Sequence, residues 1–185
     1  MNPGAASAME LTWEWCDTCA LESRLETSDL RVWSSDELLV VFHTQVPTLS
    51  TVQDLANVAR RHFVKQERLL GVVIVIDALV GPPDPTTRAA LGRLISRQEL
   101  HIGGLARVVR GEGFAAATAR AVITGLTLVT RPDYPTKIFA SMGEAAAWLE
   151  STRVISPSAR QSLSLVDAQL PDAPRTRSVA PPRAS

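Results

Sequence analysis

The run Val72-Val73-Ile74-Val75-Ile76 sets the strongest limit on what this chain can become. It has no polar alternation, so as a strand it is apolar on both faces. Such a strand belongs inside a sheet that helices cover on each side. It ends in Asp77 and a Gly/Pro loop, Gly81 to Pro83, and then Asp84-Pro85. An aspartate at the cap followed by proline at the first helical position is a helix start. The stretch therefore reads strand, loop, helix, and in open α/β sheets the carboxyl end of a strand is where ligands and regulatory groups sit.

The rest of the chain repeats that alternation. Residues 30–34 (LRVWS) and 38–44 (LLVVFHT) read as strands joined by a tight turn, hence a hairpin. Val52, Leu55, Ala56, Ala59 and Phe63 fall at helical spacing, with Gln53, Asp54, Asn57, Arg60 and Arg61 on the other face and Ser50 as the expected cap. The helix after Asp84 runs to about Arg97 with Leu91, Leu94 and Ile95 inward, and 104–109 is a further strand. Phe114, Ala117, Thr118, Ala121, Val122 and Gly125 form one stripe of the next helix, expected to face inward, with Gly125 as its terminator. Residues 137–141 are a last strand. Ser141 and Glu144 then make a capping box that opens a helix with Ala145, Trp148 and Leu149 inward.

The order β-β-α-β-α-β-α-β-α implies an α/β fold: a mostly parallel sheet of four to five strands, an N-terminal β-hairpin and helices packed on it. Three regions follow. Residues 1–27 are an N-terminal extension, partly disordered; 28–152 are the α/β domain; 153–185 are a disordered tail rich in Pro, Ser and Arg. That tail has too few apolar residues to offset the entropy of ordering it, and only a short helical patch around 163–170 is expected.

With 19 basic and 19 acidic residues the formal net charge is +0, which disfavours a nucleic-acid binder built on many phosphate contacts. No apolar run approaches the roughly 20 residues that span a bilayer, and Met1 to Trp15 has no signal-peptide pattern. With only two cysteines, the expected location is the cytoplasm.

The chemistry-bearing residues are sparse. Cys16 and Cys19 form a lone Cys-x-x-Cys; structural zinc needs four ligands, and His43, His62 and His101 are scattered. There is no Gly-x-Ser-x-Gly elbow, and the glycines at 103–113 do not have phosphate-loop spacing. Asp77 with Arg88, and His101 with Glu99, are candidate ion pairs of little energetic weight. No metal, no cofactor and no enzymatic activity are expected. Trp13 and Trp15 share a face if extended, which suits packing on the domain edge or in a dimer.

The element order and the closing stretch KIFASMGEAAAWLES, with Phe139 before a capped Ala-Ala-Trp-Leu helix, resemble the STAS domains of bacterial anti-sigma-factor antagonists and their SEC14-like relatives. The resemblance covers roughly residues 28–152. It implies a regulatory protein-interaction module whose phosphorylatable serine follows the aspartate of the central strand. Here Ala78 and Leu79 follow Asp77, so the serine is missing, and Thr86 and Thr87 lie further on, in the first helical turn. The implied contact surface is Asp77, Pro83, Asp84, Thr86, Thr87 and Arg88, extended by the helix after Arg110. Tyr134, the only tyrosine, is a further interface candidate in its proline-bracketed loop. The partner is another protein, or a second copy in a homodimer. The runner-up is a carrier of a small apolar ligand or nucleotide, as SEC14-like relatives suggest.

Overall fold

The computed structural model describes residues 21–63, 68–77, 80–95, 101–130 and 132–172. Its elements in chain order are β1 (Glu22–Glu26), β2 (Leu30–Ser34), β3 (Leu38–His43), α1 (Leu49–Phe63), β4 (Leu70–Asp77), α2 (Pro85–Ile95), β5 (Ile102–Arg110), α3 (Gly113–Thr130), β6 (Thr136–Phe139), α4 (Met142–Ser151) and α5 (Pro157–Gln169). The strands make one mixed sheet in the order β1-β2-β3-β4-β5-β6. β1, β2 and β3 pair antiparallel, and β3 to β6 pair parallel. The α/β class, the hairpin and the parallel remainder agree with the sequence; the sheet has six strands where four to five were expected.

β4 lies between two parallel neighbours, and its side chains divide between two cores. Val73 and Val75 join Val40, Phe42, Ala106 and Val108 on one face, covered by α4 and α5. Val72 and Ile74 join Leu39, Val41 and Leu105 on the other, covered by α1 and α2. The uninterrupted apolar run is thus explained by burial on both sides.

Two segments correct the reading of the chain ends. Residues 153–172 are not a mobile tail: Val154, Ile155, Ala159, Leu163 and Val166 are buried, and Ser156 caps α5 by accepting from the Ala159 amide. Few apolar residues suffice because Ala159, Leu163 and Val166 fall on one stripe of α5, with Val154 and Ile155 buried just before it. The extension also contributes β1, an edge strand whose mostly exposed, charged residues carry no apolar alternation. Residues 1–20, with Trp13, Trp15, Cys16 and Cys19, and residues 173–185 lie outside the described residues, as do Ala78, Leu79 and Glu99.

Backbone crowding explains the glycines. A Cβ on Gly71 would lie 2.7 Å from Ile155 Cγ2, and one on Gly104 would lie 3.1 Å from Leu149 Cδ2. These glycines let the α4–α5 hairpin approach the sheet closely; they cradle no ligand.

Candidate functional site at the carboxyl edge of the sheet

β3, β4 and β5 end together at His43, Asp77 and Arg110. Asp77 pairs with Arg110 and not with Arg88: Arg110 Nε lies 3.1 Å from Asp77 Oδ1, with the two side chains 11% and 14% exposed. The contact is close enough for charge pairing but not aligned for a hydrogen bond, so Oδ1 has no hydrogen-bond donor. Burial raises the Asp77 pKa above the usual carboxylate value, and the guanidinium only partly opposes it. Arg110 also lies over the Phe42 ring, 5.3 Å from its centroid, and donates through Nη2 to the Pro171 carbonyl. The chain just past α5 is thereby tied to the strand ends.

Beside it, Asp84 caps α2 as the sequence implies. Its carboxylate accepts from the Thr86 amide (2.8 Å), the Thr87 amide (3.1 Å) and the Thr87 hydroxyl. These bonds, the Thr87 hydroxyl foremost, hold its pKa below the usual value. Thr87 is buried with its hydroxyl engaged, whereas Thr86 is exposed. Arg88 donates to the Pro83 carbonyl at 3.1 Å, bracing the loop. Asp77, Pro83, Asp84, Thr86, Thr87 and Arg88 therefore share one end of the sheet. Tyr134 does not join them: it precedes β6, at the amino ends of the parallel strands, and its half-buried hydroxyl donates to the Ile95 carbonyl (3.2 Å).

A second polar cluster at the same edge was not legible. Asp29, in the β1–β2 connection, accepts from Thr27 Oγ1 (2.7 Å) and Thr51 Oγ1 (2.5 Å). Thr48 caps α1, accepting from the Thr51 amide at 3.3 Å, so the cap is Thr48 and not Ser50. Thr51, then Thr27, lowers the Asp29 pKa. His43 is 4% exposed with Nδ1 lacking a partner, and burial pushes its pKa down to about 4. The ring is held neutral.

α3 rises from this edge through Gly111 and Gly113, at φ 106° and 76°, the left-handed region that glycine adopts without strain. Its orientation overturns the expected stripe. Phe114 is 88% exposed, Ala117, Thr118 and Ala121 are also exposed, and Ala116 is fully buried. Val122 and Gly125 lie outside the described side chains, and the helix continues past Gly125 to Thr130. The single stripe read from the sequence was not decisive because this helix is apolar nearly all round. The structure turns Ala115, Ala116, Ala119 and Ile123 toward the sheet. Arg120 turns inward too, its Nη2 donating to the Val109 and Gly111 carbonyls at the end of β5, both at 3.3 Å. Arg120 is the only charged residue of α3, so the outer face is left without charge.

Among the described residues no group of His, Cys, Asp and Glu could hold a metal, and no helix is long and apolar enough to cross a membrane. None of the family models, curated proteins or solved structures compared with this chain matches it.

Proposed function

We propose that this chain is a non-enzymatic, STAS-like protein-interaction module that binds its partner through the outer face of α3 and the adjoining carboxyl edge of the sheet. The observation that carries the reading is the inversion of α3. A helix that turns its single arginine inward and leaves a phenylalanine 88% exposed is arranged for a contact outside its own core. Aromatic residues are enriched in the centres of protein interfaces, and neighbouring Ala117 and Ala121 let a partner come close to the helix. Asp77 and Arg110 serve the same reading structurally, because their pairing and the Pro171 contact fix the loop ends from which the surface is built. The buried Thr87 hydroxyl, already spent on Asp84, fits a module without the antagonist family's phosphorylation switch.

The test is the size of the native complex. In extracts of its own host, the wild-type chain is expected to elute in a complex larger than itself, and Phe114→Glu to elute alone with unchanged melting temperature. Elution of wild type and variant at the same size would refute the reading.

A further inference from the structure

The outer face of α3 is uniform in charge and uneven in size. Phe114, Ala117, Thr118 and Ala121 are exposed and, at three-and-four spacing, share that face. None of them is charged, and Arg120 turns instead to the carbonyls at the end of β5. The exposed Thr124 hydroxyl is spent inside the helix, donating to the Arg120 carbonyl at 2.8 Å. The other helices differ: each exposes charge, as Arg60 does on α1, Arg93 on α2, Glu144 on α4 and Arg160 on α5. A twofold axis sets a face against its own copy, so a charge near the axis meets the same charge. Among these helices only α3 escapes that repulsion.

Size then fixes the direction of pairing. Phe114, 88% exposed, stands at one end of the face, and exposed Ala121 stands two turns further on. Laid parallel, two such faces set phenylalanine on phenylalanine and leave a gap between the alanines. Laid antiparallel, each bulky end meets a small one. Given that this face is a contact surface, as proposed, we infer that its partner is a second copy of the chain. The two α3 helices cross antiparallel, with Phe114 of each seated on the partner's Ala121. The middle of the contact is then Ala117 against the partner's Thr118, small enough for helix axes about 8 Å apart. The helix is about 27 Å long, so the contact lies at the small end of specific interfaces. Such a dimer comes apart on dilution.

The test is analytical ultracentrifugation of the purified full-length chain over a dilution series. The wild type is expected to sediment at twice the chain mass when concentrated and at the single mass when dilute. Phe114→Glu and Ala121→Lys, both at exposed positions, should each sediment as single chains, with circular dichroism as the check on folding. Mixed in equal amounts, the two variants should recover the double mass. One end of the mixed pair then keeps phenylalanine on alanine, and the other joins opposite charges. A parallel pair would set 114 against 114 and 121 against 121, and the mixture would stay single. A wild type of single mass at every concentration overturns the inference, as do variants that remain double or a mixture that does not recover. The host extract separates this from the reading of the face itself. If the purified wild type is single while the extract complex still depends on Phe114, the face binds a different protein and only the second copy is refuted. If the extract complex does not depend on Phe114 either, both are refuted.

Discussion

The two faces of the sheet are built from alternate residues of the same strands, yet they end in different states. On one, Phe42, Val73, Val75 and Val108 meet Met142, Ala145, Leu149, Leu163 and Val166, and glycines at 71 and 104 let the α4–α5 hairpin settle directly on the strands. Trp148, at its rim, is half-buried with its ring 5.5 Å from that of Phe139, so it flanks the core where the sequence placed it inside. On the other face, α1 and α2 bury Val52, Leu55, Val58 and Leu94 but present Arg60, Arg61, Arg88 and Arg93 outward against Asp54. α3 turns its bulk away. One layer is filled toward the sheet; the opposite side keeps apolar and cationic surface in reserve. Close packing and exposed apolar surface fall on different sides of one sheet.

The comparison breaks first at α5. Leu163→Ala, at a fully buried position, is expected to lower unfolding free energy in urea by about 3–4 kcal/mol, while Leu165→Ala, 63% exposed two residues on, stays within about 0.5 kcal/mol. Equal effects at the two positions would mean that α5 does not pack as described.

Acid probes the opposite side. His43 is neutral in the fold with its pKa pushed down to about 4. The unfolded chain takes up a proton near pH 6.5 and the folded chain does not, so stability is complete above that pH and falls as pH drops toward 4. The loss is at most about 3 kcal/mol from this group. Urea titrations at pH 7, 5.5 and 4.5 should show the decline, and His43→Leu should flatten it. Below that range Asp29, whose pKa is lowered by Thr51 and Thr27, adds a further loss as it protonates.

At the junction of the two sides, Arg110→Met should cost about 2 kcal/mol at neutral pH, because Asp77 keeps a mostly buried charge without its counterion. The Asp77 pKa should then rise further, measurable by NMR titration of its carboxyl carbon. The smallest effect has the opposite sign. Arg153 sits at φ 59°, ending α4 in the left-handed region, so Arg153→Gly should stabilise by about 0.5–1 kcal/mol in the same urea assay.

What could be read from the sequence was what is decided locally. β4 was legible because a strand buried on both faces can only be apolar throughout. The starts of α2 and α4 were legible because Asp84 and Ser141 cap through short-range bonds; Ser141 accepts from the Glu144 amide, and Glu144 in turn accepts from the Ala140 amide. What could not be read is decided by distant partners. α5 has a thin apolar stripe that becomes core only because α4 and the sheet wait for it. β1 is an edge strand that gains order from β2 rather than from its own pattern. The facing of α3 was misread, since small apolar residues lie nearly all round it and the carbonyls at the end of β5 decide where Arg120 goes. Of the candidate surface residues, Asp77 ends β4 while Asp84, Thr86, Thr87 and Arg88 stand at the start of α2, at the same end of the sheet. Tyr134 belongs to the other end of the sheet because connection length, not residue type, fixes its place.

The central claim is that the outer face of α3 is a contact surface and the α5 side is not, and it is tested most directly by comparing two exposed apolar positions. Phe114 on α3 is 88% exposed and Leu165 on α5 is 63% exposed. A photo-crosslinking amino acid at each position in turn, irradiated in the native host, should join position 114 to another polypeptide chain in good yield and leave position 165 unjoined. Adducts at 165 with none at 114 would contradict the account, and so would absence of adducts from both.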